Sequence, residues 1–267
     1  MAIRLDQLAA AQFGVSEAEA AALIMEGRVW MGHIPADKPG TSVKDDTVLT
    51  LREKAKKYAS RSGYKLEKAL DVFSLDVTGL RVCDIGASNG GFTDCLLQYG
   101  AEHVWAVDVA YGILEWRLRC DERVTVMERT NARYLTPDQV PLHPTVTVMD
   151  VSFISIKLIL PVAAQLMGDE GVFYTLIKPQ FEAGKDRVGK KGVVREPKVH
   201  EDVIQSIVDF APTFGWQVQA LDYSPITGPE GNIEFLAKIT KKSSETEPCT
   251  PEMIHDLVAR AHENMKK

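Results

Sequence analysis

Along the first fifty-odd residues, apolar positions recur at helical spacing and then at strand spacing. Leu5, Leu8, Ala9 and Phe13 share one helical face, and Gly14 is placed to end that helix. A second helix begins at Ser16. Glu19 lies three residues on, giving the Ser-x-x-Glu capping box, and Gly27 stands where a C-terminal cap belongs. Arg28 to Ile34 and Thr47 to Leu51 read as short strands around the turn Asp37-Lys38-Pro39-Gly40. From about residue 70 the pattern changes. Apolar runs suited to strands fall at 81–85, 103–107, 124–127, 145–149, 172–177, 216–223 and 234–239. Helical stretches fall between most of them, at 92–99, 113–120, 158–167 and 200–214. Strands alternating with helices predict an α/β fold, a sheet of about seven mainly parallel strands covered on both faces. No clear helix separates the last two strands, so an antiparallel return through 224–232 is expected. The divisions read this way are a small α+β domain over 1–58, a basic linker over 59–69, the large domain over 70–242, and a polar linker with a final helix over 243–267.

The first chemical signal is the run Asp84-Ile85-Gly86-Ala87-Ser88-Asn89-Gly90-Gly91-Phe92, which follows a strand and opens a helix. Gly86 lets the chain turn sharply; Gly90 and Gly91 are expected to remove side chains where a ligand approaches the backbone. The spacing D-x-G-x-x-x-G-G differs from the G-x-G-x-x-G that cradles a pyrophosphate, which argues against a nicotinamide oxidoreductase. A loop with no phosphate to hold suits a nucleoside ligand such as S-adenosylmethionine. Asp108 ends the next strand, 22 residues after Gly86, where an acid can accept hydrogen bonds from two ribose hydroxyls.

A second signal is a set of charged residues at strand ends. Asp150 follows one strand, Lys178 follows another and precedes Pro179, and Glu234 opens the last. Lys65 precedes the large domain. Ligands of open α/β sheets collect beyond the carboxyl ends of the strands, so Asp150 and Lys178 should lie near Gly86. A strand-end lysine is ordinarily a solvated charge. Lys178 follows a nearly continuous apolar strand, however, and burial there is costly without a partner. Such a group suits methyl transfer to a hydroxyl, a poor nucleophile whose proton a base must take. A lysine serves only when neutral, against an ordinary pKa of about 10.4. Both Lys178 and Lys65 are candidates on this reading.

Composition narrows the class. Apolar residues make up 45% and charged residues 25% of 267 residues, with a formal net charge of −6. The first thirteen residues do not read as a signal peptide, and the longest apolar run, 158–167, is too short for a bilayer span. Cys83, Cys95, Cys120 and Cys249 show no metal-ligand spacing, so reduced thiols, no metal and a cytoplasmic setting are expected. Positive charge is concentrated. Arg52, Lys54, Lys56, Lys57, Arg61, Lys65 and Lys68 face only Glu53 and Glu67 across 52–68. Lys178, Lys185, Arg187, Lys190, Lys191, Arg195 and Lys198 face three acids across 178–198. Two basic clusters in an acidic chain point to RNA phosphates rather than to a membrane.

These motifs together resemble the TlyA-type (hemolysin A) family over almost the whole chain. The resemblance is carried by Ser60-Arg61-Ser62-Gly63-Tyr64-Lys65-Leu66, by 84–94, by Met127-Glu128-Arg129-Thr130-Asn131-Ala132-Arg133, by Asp150-Val151-Ser152-Phe153-Ile154-Ser155, by Lys178-Pro179-Gln180-Phe181 and by 224–232. It implies a ribosomal-protein-type RNA-binding module joined to an FtsJ-like, Rossmann-like methyltransferase domain, using S-adenosylmethionine to methylate cytidine 2′-oxygens of ribosomal RNA or ribosomal subunits. It also implies a catalytic tetrad of Lys65, Asp150, Lys178 and Glu234, with Asn131 near the cofactor's adenine. The family's other name raises the alternative of a membrane-active hemolysin. A non-catalytic RNA-binding protein is a further alternative, opposed by the intact loop and tetrad. One departure stands out: where the resembling module carries an arginine after the helix-starting serine and an asparagine before the turn glycine, this chain has Glu17 and Met31. Its first 51 residues hold four basic side chains against seven acidic ones, so the basic stretch after them is expected to carry more of the binding.

Overall fold

A computed structural model describes residues 2–52, 57–141, 143–167, 171–242 and 249–265. The chain divides into two compact units, Met1–Lys57 and Tyr58–Lys267.

In the first unit, β1 (Ala2–Arg4) leads into α1 (Leu5–Phe13), and α2 (Glu17–Met25) starts at the capping box formed by Ser16 and Glu19. Gly14 ends α1 in the left-handed conformation (φ 67°), which glycine adopts without strain. Strands β2 (Val29–Met31), β3 (Ile34–Pro35) and β5 (Leu49–Leu51) form a three-stranded sheet ordered β3-β2-β5. Strand β4 (Ser42–Lys44) pairs with β1, a second sheet that hydrophobic spacing had not indicated because each strand is only three residues long. Leu5, Leu8, Ala9, Ala20, Ile24, Val29, Ala36 and Leu49 make the unit's own core. Among the described residues no single helix is long and apolar enough to cross a membrane. The bent pair α1 and α2 has the necessary composition, but its apolar residues fill this core.

The second unit opens with α3 (Gly63–Val72), then β6 (Arg81–Ile85), α4 (Gly91–Gln98), β7 (His103–Val107), α5 (Trp116–Arg119), β8 (Val124–Met127) and β9 (Val146–Met149). It continues with α6 (Leu160–Met167), β10 (Val172–Ile177), α7 (Pro179–Glu182), α8 (Pro197–Phe210), β11 (Trp216–Tyr223), β12 (Phe235–Lys241) and α9 (Pro251–Met265). The seven strands run in the order β11-β12-β10-β9-β6-β7-β8, and β12 alone runs opposite to the other six. Side chains alternate across the sheet. Val82, Val104 and Val148 pack with Leu66 of α3 and Leu96 of α4, while Cys83, Ile85 and Met149 pack with α6 and α8. Strand order reverses between β6 and β9, which leaves a crevice at their carboxyl ends.

Two of the expected divisions change. The stretch 59–69, expected as a basic linker, holds most of α3, whose Leu66, Ala69 and Leu70 enter the core. The charges had masked a helix that buries one face. The final helix is not a separate appendage: Ile254, Leu257, Val258 and Ala261 of α9 pack into the core beside α8. The polar linker 243–248 and the basic residues Lys54 and Lys56 lie outside the described residues.

Candidate active site

Strand register builds the site. Ile85 pairs with Val107 on one side and with Met149 on the other. The next residue on each strand, Gly86, Asp108 and Asp150, therefore reaches the crevice at one level. Ile177 pairs with Phe235 in the antiparallel pair β10/β12, which brings Lys178 and Glu234 together at the same sheet end. Lys65 arrives on the first turn of α3.

These residues form a chain of ion pairs. Lys65 Nζ donates to Glu234 Oε2 at 2.6 Å and to Asp150 Oδ2 at 3.4 Å. Lys178 Nζ lies 2.6 Å from Asp150 Oδ1 and donates to Ser152 Oγ at 3.2 Å. Side-chain exposure is 7% for each lysine, 11% for Asp150 and nil for Glu234. Two cations and two anions balance, as buried charges must. Gln180 Nε2 adds a bond to Glu234 Oε1 at 3.2 Å, and Gly228 is packed against the Glu234 carboxylate, where a side chain would collide with it.

Beside the tetrad lies a cavity of about 380 Å³. Asp150 belongs to both, and Ser152, which accepts from Lys178, lines the cavity. Gly86, Ser88, Asp108 and Asn131 line it, as do Val107, Ile113, Ile159 and the loop from Val151 to Ile154. Apolar walls with a few converging polar groups suit a nucleoside-sized ligand. Asp108 is held by backbone N–H groups, Ser88 to Oδ2 at 2.8 Å and Ala110 to Oδ1 at 2.8 Å, so its carboxylate has one orientation. Asn131 accepts from Arg133 N through Oδ1, which directs its amide N–H₂ elsewhere. Gly86 has φ 84°, and a Cβ there would meet the Asp150 carbonyl at 2.9 Å.

Four residues expected at the cofactor lie apart from the cavity lining. Asp84 has its side chain on the α4 side of the sheet, wholly buried, where Oδ2 accepts from Thr93 Oγ1 at 2.6 Å. A side chain on Gly90 would strike Leu114 and Leu118, and one on Gly91 would strike Ser60 and Ser62. The missing side chains thus make room for the protein's own neighbours. Phe92 is buried in the core between the sheet and α3. Of the basic residues, Lys57, Arg61, Lys185, Lys190 and Lys191 are exposed, and Arg52 stacks on Trp30 at 3.7 Å. Arg187 is paired with Asp202 at 2.9 Å. Lys68 is turned inward to the Tyr223 carbonyl at 2.6 Å. Sequence reading had passed over Thr130, Arg133 and the Val151–Ile154 loop as cavity lining, although all lie within motifs it had singled out.

Burial pushes the Asp84 carboxyl up to about 7, aided by the Asp150 charge and opposed by the Thr93 bond. Its other oxygen has no hydrogen-bond partner among the described residues. A folded-state value above the unfolded one means that the proton stabilises the fold. That contribution is complete at pH values below the ordinary carboxylate value and is lost as pH rises through 7. Between pH 5 and 7 the loss is about 2 kcal/mol. Asp84→Asn keeps a neutral group at every pH. Its urea midpoint should therefore change less over that range than that of the unsubstituted protein, and parallel pH dependences would contradict the buried, protonated carboxyl.

A buried Lys-Asp-Lys-Glu chain at the end of such a sheet, beside a nucleoside-sized cavity, is the arrangement that the resemblance to FtsJ-like methyltransferases implies. The chain belongs to the FtsJ-like methyltransferase family, whose model matches residues 58–241. It is 47% identical over 247 residues to YqxC of Bacillus subtilis, a candidate rRNA methyltransferase, covering 91% of this chain and 88% of that one. It is 43% identical to the 16S/23S rRNA (cytidine-2′-O)-methyltransferase TlyA of Mycobacterium tuberculosis, covering 92% and 91%. A solved structure of a candidate hemolysin from Streptococcus thermophilus is 44% identical, with a TM-score of 0.75 over 99% of this chain and 97% of that one.

Proposed function

We propose that this protein transfers a methyl group from S-adenosylmethionine to a cytidine 2′-hydroxyl of ribosomal RNA. The observation that carries the reading is the buried run of ion pairs from Glu234 through Lys65 and Asp150 to Lys178, opening on the cavity at Asp150. The M. tuberculosis relative, named for that reaction, supports the choice of nucleotide and RNA. The cytoplasm, where ribosomal subunits are built, is the corresponding place of action.

Asp108 would hold the ribose of the cofactor and Asn131 would stand at its adenine side, with Gly86 leaving room at the turn. The cofactor supplies an electrophilic methyl group; the protein must bring up the hydroxyl and take its proton. Lys178 faces one carboxylate and the Ser152 hydroxyl, whereas Lys65 is bound by two carboxylates. Lys178 therefore has less negative charge around it and is assigned as the base. Asp150 fixes the Lys178 amine, while Lys65 and Glu234 fix Asp150. Exposed Lys57, Arg61, Lys185, Lys190 and Lys191 would meet RNA phosphates, and the acidic first unit would contribute less.

The test uses labelled S-adenosylmethionine with intact or deproteinised ribosomal subunits that lack the modification. A 2′-O-methyl group blocks alkaline cleavage, because cleavage needs the free hydroxyl. Label should be found in an alkali-resistant dinucleotide that contains cytidine. Label in a base, in protein or in neither would overturn the reading.

A further inference from the structure

Lys178 is followed at once by α7, a helix of four residues. Pro179 at its first position sets the backbone angle a helix start requires, so the turn directly after Lys178 is fixed. Each residue after that proline reaches a different part of the site. Gln180 Nε2 donates to Glu234 Oε1 at 3.2 Å. A carboxylate only accepts, so the amide's orientation is settled by its partner. Phe181 packs its ring against Phe153 at 4.9 Å between centroids. Glu182 accepts from Ser155 Oγ at 2.7 Å and from Ile156 N at 2.8 Å. Phe153, Ser155 and Ile156 belong to the segment that begins at Asp150 and walls the cavity.

We infer that α7 is the clamp that sets the tetrad, with Gln180 and Glu182 as positioning residues. Gln180 fixes the Glu234 end and Glu182 fixes the segment that follows Asp150, both measured from the backbone that carries Lys178. The inference rests on the methyl-transfer reading, because it concerns the same site. The physical case is one of tolerances. Asp150 and Lys178 follow neighbouring strands whose last register pair, Met149 with Thr175, lies before both; the Asp150 N–H is held by Ile85 O of the other neighbour at 3.2 Å. Glu182 is half-buried; burial raises its carboxyl from the ordinary value and the bonds from Ser155 and Ile156 oppose that rise. Phe153 has φ 64°, which a phenylalanine rarely adopts, so its loop needs an external hold to keep that shape. Phe181 and Glu182 supply it from the Lys178 side.

The experiment measures single-turnover methyl transfer, cofactor affinity and thermal midpoint for Gln180→Ala, Glu182→Ala, Glu182→Gln and Ser155→Ala. Misplacement of reacting groups by about 1 Å costs up to about a hundredfold. Glu182→Ala should slow transfer about tenfold at temperatures where it is fully folded. Glu182→Gln should recover most of that rate, since its carbonyl accepts from Ile156 N and its amide donates to the serine hydroxyl. Gln180→Ala should lower turnover and leave cofactor affinity unchanged, because Gln180 touches the tetrad and not the cavity lining. Ser155→Ala, which removes one of the two bonds to Glu182 together with the weaker cap bond from Lys157 N, gives a smaller loss and serves if Glu182→Ala does not fold. Unsubstituted protein that methylates no RNA would refute the functional reading. Active unsubstituted protein with variants of equal turnover, or with losses that merely follow the thermal midpoint and show no rescue by Gln, would refute the clamp.

Discussion

Lys178→Ala should leave a folded protein that binds S-adenosylmethionine and transfers its methyl group at least about a hundredfold more slowly, since a positioned proton acceptor contributes about 10² to 10⁴ in rate. The fold should survive because the remaining Asp150 carboxylate still meets Lys65 at 3.4 Å. Lys178→Arg is the more informative variant. Arginine keeps the charge that pairs with Asp150 but gives up no proton at any accessible pH. If Lys178 accepts the hydroxyl proton, arginine fails as alanine does. If it only balances charge or holds the ribose, arginine retains measurable turnover, and the base assignment passes to Lys65. The measurement is a pH profile of single-turnover transfer, with cofactor affinity determined in parallel.

Asp108→Ala should weaken S-adenosylmethionine binding about a hundredfold, because each hydrogen bond to a charged acceptor contributes about 1.5–3 kcal/mol. The same carboxylate also anchors Ser88 N and Ala110 N, so part of any loss comes from loosened loops. The thermal midpoint of the ligand-free variant isolates that part: loops that only loosen lower it, whereas lost ligand contacts do not. Calorimetry that finds unaltered affinity would remove Asp108 from the cofactor site.

What could be read from residue order alone follows from what each signal encodes. Strand and helix periodicity encodes burial, so the seven strands of the large unit were visible to within a residue or two. Asp108, Asp150, Lys178 and Glu234 were visible as candidates because a charge at the end of an apolar strand is costly to bury without a partner. Helix α3 was not visible, because its charged surface outweighed Leu66, Ala69 and Leu70 in a stretch of ten residues. Gly90 and Gly91 were visible as glycines, but not what packs where their side chains would be. Sequence shows that a side chain is absent, and only packing shows what fills the space: Leu114 and Leu118 in one case, Ser60 and Ser62 in the other. Gln180 was visible only as part of the motif Lys178–Phe181 and Glu182 only as an acid among the bases, and neither showed its partner, since the partners lie 54 and 26 to 27 residues away.

Gly86, Asp108 and Asp150 each stand one residue beyond a paired position, Ile85, Val107 or Met149. Length change in this protein is therefore asymmetric. Adding or deleting one residue within β6, β7 or β9 turns every later side chain of that strand to the opposite face, and the site residue goes with it. The exposed residues Tyr111 and Gly112, in the loop between β7 and α5, lie beyond that constraint. Evolution and design alike can lengthen the chain there, reshaping what surrounds the cavity, while the spacing inside the three strands stays fixed.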